Sequence, residues 1–228
     1  MTDASIAPVA LDHDPYYLFM AWAEMFGYAG GAGVDGFPPS VREFRQPRRK
    51  KPHHISMLPM ILMASSVMSM LSPGEPMPAL KGEFLSGRQA LLPGAASGRV
   101  ALLALGFSYG SRFAVEVWIG RFRKDFGDNP QVTFYEIPLI GGMARLGKWF
   151  IDSGMRRGTP EKDHENVITV YGGTDPWKQR LGFQSPDAAY LILLDQRGVV
   201  RWRHGGAFDE EAYNGLAIHV AALLRGQQ

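Results

Sequence analysis

The sequence contains no cysteine. That absence excludes a thiolate nucleophile, a disulfide, an iron–sulfur cluster and a thiolate zinc site. It leaves the compartment open, because exported proteins also fold without disulfides. The 6 histidines stand at His13, His53, His54, His164, His204 and His219. None forms an H-E-x-x-H or H-x-H pair, so neither a metal nor another cofactor is expected. Charge of one sign is lacking too: 24 Lys and Arg face 22 Asp and Glu, a net charge of +2. That small excess is not a basic face, and no nucleic-acid partner is expected. A long apolar run is also missing. The best candidate, ISMLPMILMASSVMSML at 55–71, is shorter than the roughly 20 residues a spanning helix needs. Pro59 and four serines weaken it further.

With 228 residues, 46% of them hydrophobic, the chain suits one globular domain and a further short element. Three parts are expected. Residues 1–41 hold aromatics such as Tyr16, Tyr17 and Trp22 before a Gly/Pro-rich run, and read as a peripheral segment. Residues 42–72 carry Arg42, Arg45, Arg48, Arg49, Lys50 and Lys51, then the uncharged run. A basic cluster followed by an apolar stretch and SPGEP has the order of a signal peptide or membrane anchor. It points to a membrane-associated or exported protein, with membrane contact through 55–71. A Met-rich core helix in a cytoplasmic protein is the alternative.

From residue 73 to 228 the pattern is regular. VALLALGF is a buried strand by its continuous apolar character. SRFAVEVWIGRFRKDF follows as an amphipathic helix, with Phe113, Val117, Gly120 and Arg121 set apart from Arg112, Glu116 and Arg123. VTFYEIPL, MARLGKWFIDSGMRR, VITVYGG and the short helix DPWKQRLGF continue the alternation, with Asp175 as helix cap before Pro176. AYLILL and VVRWRH flank the turn DQRG as a hairpin. DEEAYNGLAIHVAALL closes the chain as a helix capped by Asp209. The order β-α-β-α-β-α-β-β-α predicts an α/β fold, with a parallel sheet extended by an antiparallel C-terminal hairpin.

Within that pattern, GFSYG fits G-x-S-x-G, the strand-to-helix nucleophile elbow of serine hydrolases. Ser108, Asp175 and His204 occur in the chain order such a triad requires. Against this α/β-hydrolase reading, few residues precede the nucleophile strand, and Asp175 has a simpler role as a cap. The DQRG turn also puts His204 on an edge strand rather than on a loop above the parallel strands.

The segment GEPMPALKGEFLSG, the strand–turn–helix at 100–126 and the ending AYLILLDQRGVVRW together resemble the thioredoxin-like superfamily of the TlpA or peroxiredoxin kind. The resemblance covers about 73–224 and implies a three-layer sandwich around a mixed sheet. The turn that carries the redox cysteines in that superfamily is here Phe107–Arg112, and the cis-proline position is Ala189, with Pro186 three residues earlier. Residues 100–118 and 189–202 are also similar to the ATP10 family of mitochondrial ATP synthase assembly factors. That likeness implies a redox-inactive protein acting by binding, in assembly of a membrane complex, with a protein partner. The expected binding residues are Ser108, Tyr109, Arg112, Met143, Arg156 and Arg157. The alternatives are the hydrolase and an antioxidant-type oxidoreductase that borrows a thiol from another molecule. Trp118, Trp149, Trp177 and Trp202 read as core or edge packing rather than as a recognition surface.

Overall fold

In the computed structural model the described residues are 69–141 and 147–226. Residues 1–68 lie outside them, with the expected peripheral segment and most of the basic and apolar segment. Among the described residues no helix is long and apolar enough to cross a membrane.

A hairpin of β1 (Leu80–Phe84) and β2 (Gln89–Leu92) opens the fold. There follow β3 (Val100–Gly106), α1 (Ser111–Phe126), β4 (Val132–Ile140), α2 (Lys148–Gly158) and β5 (Ile168–Tyr171). The chain ends with α3 (Thr174–Leu181), β6 (Ala189–Leu194), β7 (Val200–Gly206) and α4 (Glu210–Leu224). The seven strands form one sheet in the order β2-β1-β5-β4-β3-β6-β7. β3, β4 and β5 run parallel, as their intervening helices require. β6 lies antiparallel beside β3, and β7 beside β6.

Every residue of β3 is buried, which explains a strand with no polar alternation. Its Ala101, Leu103 and Leu105 face one core, which also holds Leu80, Phe84, Trp177 and Leu181. Its Val100, Leu102 and Ala104 face a second core under α1 and α4. On α1 the buried stripe is Val115, Trp118, Ile119 and Phe122, the i, i+3, i+4, i+7 spacing of a packed helix face. The sequence reading aligned the apolar face with Phe113 and Val117 instead. These are 54% and 51% exposed, because the stripe centred on Trp118 turns them outward.

Two caps differ in outcome. Asp209 caps α4, its carboxylate accepting from the Ala212 N–H at 2.7 Å. Asp175 does not cap α3. That place belongs to Gly173 at φ 65°, and Asp175 sits in the first turn with its side chain 87% exposed, 4.0 Å from Lys178.

The chain enters the fold as a strap. The Leu71 N–H donates to the Arg180 carbonyl, the Gly74 N–H to Val200, the Val200 N–H to Glu75, and the Met77 N–H to Gly198. The Arg203 guanidinium donates to the Leu71 carbonyl at 2.6 Å. Leu71 itself is buried in the first core, so the end of the apolar run is part of the domain. The strap also covers the start of β7, an edge strand whose backbone would otherwise be open.

The DQRG turn is fixed by Asp195. Its carboxylate accepts from the N–H groups of Arg197 and Val199, each at 2.9 Å, and from Arg201 at 2.7 Å. Gly198 supplies the positive φ of the turn, 79°, and approaches Pro93 so closely that a Cβ would lie 2.7 Å from its ring.

Candidate functional site

The turn between β3 and α1 is built from small residues because two close approaches meet there. A Cβ on Gly106 would lie 2.3 Å from the Ser111 hydroxyl oxygen, and one on Gly110 would lie 2.4 Å from the Asp187 carboxylate. The glycines of GFSYG are therefore spacers. Ser108 starts the helix: its Oγ accepts the Ser111 N–H at 3.0 Å, while the Ser111 hydroxyl donates back to the Ser108 carbonyl at 2.7 Å. The first of these bonds satisfies one of the N–H donors that a helix N-terminus leaves open.

The Ser108 hydroxyl proton is committed elsewhere, to Asp187 Oδ1 at 2.6 Å. Asp187 is delivered by the loop before β6, and Tyr190 holds that loop. Its hydroxyl accepts the N–H groups of Gln184 and Ser185 at 2.9 and 3.0 Å and donates to the Ser185 carbonyl at 2.9 Å. Phe107 seats its ring edge-on against Phe183 and Tyr190, at 5.3 and 5.4 Å between centroids. Phe107, Ser108 and Asp187 thus lock turn and loop together. A carboxylate is too weak a base to take a serine proton, and an activated serine needs a stronger base in hydrogen-bond reach. The pair orders the turn.

The triad Ser108, Asp175 and His204 is not assembled. Asp175 lies on α3 against Lys178. His204 lies on β7 between indoles, 5.2 Å from Trp118 and nearly parallel to Trp202 at 5.8 Å. Burial there depresses its basicity, against the opposing pull of Asp209. The physical reason is topological: β7 presents His204 to the α1 and α4 face of the sheet, whereas a triad needs it beside the turn.

Of the expected binding residues, Ser108, Tyr109 and Arg112 share one place. The Arg112 guanidinium lies 5.1 Å from the Tyr109 ring and 5.2 Å from Phe113, and pairs with Glu116 at 3.3 Å. Met143 lies outside the described residues. Arg156 and Arg157 are elsewhere, on the last turn of α2. Arg156 donates to the Leu85 carbonyl at 2.5 Å and Arg157 to the Ser153 carbonyl at 3.3 Å. With Trp149, which is 79% exposed, they line a separate shallow hollow. Trp118 and Trp177 are buried as expected, so Trp149 is the exception. Among the described residues no group of three His, Cys, Asp or Glu is placed to hold a metal.

Two residues of the site escaped sequence reading. Asp187 has a positional signal, since it precedes the strand β6 in the loop that follows Phe183. Glu136 has none; it lies on β4 beside the turn, and burial raises its carboxyl to about 7. Glu116 and Asp163 push in the same direction and Arg123 opposes them.

The β3-α1-β4 unit and the β6-β7-α4 unit meet through β3 and β6, the arrangement of a thioredoxin-like fold. No family model matches the chain, and no curated protein matches it by sequence. The likeness to the ATP10 family read from residues 100–118 and 189–202 is therefore not shown by these comparisons. Solved structures do match. An uncharacterised conserved protein from Geobacillus kaustophilus is 15% identical, with a TM-score of 0.50, covering 69% of this chain and 85% of that one. The thioredoxin domain of a thiol-disulfide oxidoreductase from Bacteroides vulgatus is 19% identical, with a TM-score of 0.45, over 66% and 99%. A thiol peroxidase from Chromobacterium violaceum is 16% identical, with a TM-score of 0.46, over 70% and 90%. At such identities the shared property is the fold.

Proposed function

We propose that this thioredoxin-like domain acts by binding a protein partner, without thiol chemistry of its own, through the Ser108–Arg112 turn and the outer face of α1. The observation that carries the reading is the pairing of an inert turn with an apolar neighbour. Sulfur is absent from the turn, and its serine is spent on Asp187. Beside it Phe113 and Val117 stand exposed one helical turn apart, with Tyr109 edge-on to Phe113 at 6.1 Å. Exposed aromatics next to an arginine are the composition of binding hot spots. The likeness to assembly factors suggests that the partner belongs to a membrane complex. The basic and apolar segment before residue 69 suggests that the encounter takes place at a membrane.

The test is retention of partners by the tagged full chain from membrane and soluble fractions. Phe113→Asp and Val117→Asp abolish specific retention, whereas Ile218→Asp, a still more exposed apolar site on α4, leaves it intact. Equal retention by all three variants overturns the reading. So does reduction of insulin disulfides by the purified chain. Peroxide consumption that needs added glutathione replaces it with the external-thiol oxidoreductase.

A further inference from the structure

Beneath the turn lies a cavity of about 80 Å³ between α1, β4 and α2. Its walls are apolar where Val115, Met155 and Val167 line it, and polar where Tyr109, Arg112 and Glu136 do. Glu136 is the unexplained member. Its strand position, opposite Ala104 on β3, points it to the helix-covered face. Among the described residues its carboxyl has no hydrogen-bond or ion-pair partner. A partly buried carboxyl that stabilises nothing around it is costly to keep, and it faces an open volume.

We propose that this cavity is a carboxylate-binding site, in which Arg112 on α1 and Glu136 on β4 address the bound group. The inference rests on the binding role of the Ser108 turn and specifies what the turn receives. Three features select an anion over a cation. Arg112 places a permanent positive charge in the wall, shared with Glu116 at 3.3 Å and with the Tyr109 hydroxyl at 3.1 Å. The amino end of α1, a helix of 16 residues, adds its positive dipole end. Glu136, raised by burial to about 7, holds its proton in a large share of molecules at neutral pH and then donates a hydrogen bond. The charges facing Glu136 are Arg112, Arg123 and Glu116 from α1 and Asp163 from the turn after α2. α2 and the residue leading into β5 contribute apolar atoms, Met155 and Val167. A bound carboxylate keeps the proton on Glu136, so affinity falls by up to about tenfold per pH unit above the Glu136 midpoint. A bound ammonium group does the reverse.

The experiment is an NMR titration of ¹³C-labelled full-length protein, following the Glu136 carboxyl against pH at constant ionic strength. The probes are acetate, methylammonium, and a short peptide with either a free or an amidated C-terminus. Acetate raises the Glu136 midpoint and methylammonium leaves it in place. Acetate with no effect, or a midpoint lowered by methylammonium, overturns the proposal. A larger shift from the free-terminus peptide, lost on amidation, assigns the site to a chain end. A shift from acetate without one from the peptide assigns it to small free carboxylates. Either result supports the site. Glu136→Gln, close in shape to the protonated acid, still binds acetate by the Val115 methyl shifts but loses the pH dependence. Arg112→Met loses the binding; unchanged acetate affinity in that variant also overturns the proposal. Because no partner is present, failure here leaves the partner-retention test standing, and the reverse also holds.

Discussion

Two aspartates bracket β6, and they are held in opposite ways. Asp195, after the strand, is 1% exposed and receives two backbone N–H groups and the Arg201 guanidinium. Burial opposes its ionisation, but the Val199 N–H and Arg201 prevail and hold the carboxyl below the usual range. Asp187, before the strand, is exposed and receives the single hydroxyl of Ser108. One end of β6 is a turn that the fold cannot lose. The other end is a loop held by the Tyr190 hydroxyl and the Phe107 ring, with its own carboxylate at the surface.

The sharpest way to break this contrast is to remove both carboxylates in turn. Asp195→Ala leaves the half-buried Arg201 guanidinium and two N–H groups without their acceptor and is expected to cost about 3 kcal/mol. Asp187→Asn is expected to cost less than about 1 kcal/mol. Chemical denaturation of the two variants measures both, and equal losses would erase the distinction. The acid limb of stability separates them as well. A depressed carboxyl contributes stability that is present above its unfolded pKa and lost as pH falls through the folded one. Below about pH 4 the wild type therefore loses stability faster than Asp195→Ala.

Glu136 runs the other way. Its carboxyl is raised from 4.5 to about 7, so its contribution is complete below about pH 4.5 and is lost as pH rises toward 7. At 1.36 kcal/mol per unit the span is about 3 kcal/mol. Glu136→Gln flattens that part of the stability–pH curve, and an unchanged slope would show that water solvates the acid freely. Ser108→Ala removes the acceptor of the Ser111 N–H and the Asp187 contact together, for about 1 kcal/mol. In a hydrolase the same change would abolish labelling by a fluorophosphonate probe; here no Ser108-dependent labelling is expected. Smallest of all, Phe113→Asp is expected to move stability by less than about 0.5 kcal/mol while removing partner retention.

The same two ends of β6 show what the sequence made legible. The Asp195 turn announced itself through D-Q-R-G between two apolar runs, because its interactions are local: every partner lies within six residues. Strand and helix order was readable for the same reason, since burial on both faces of β3 and the stripe on α1 are short-range patterns. The Ser108–Asp187 pair spans 79 residues, and no periodicity encodes such a meeting. The G-x-S-x-G match was misleading because glycine serves two purposes. A nucleophile elbow needs it for a sharp turn, and this turn needs it to let Ser111 and Asp187 approach. The reversed face of α1 came from counting apolar residues without knowing that β3, β6 and α4 would gather around Trp118. Glu136 was invisible, since a glutamate in a strand reads as solvent-facing until the helix above it is placed.

The strap has a mechanical consequence. Leu71 is embedded in the interior and bonded to α3, while Gly74 and Glu75 are laced to the rim strand β7. A load applied at residue 69 would thus reach the sheet within a few residues. Pulling at that point would load β7, the rim strand to which the strap is bonded.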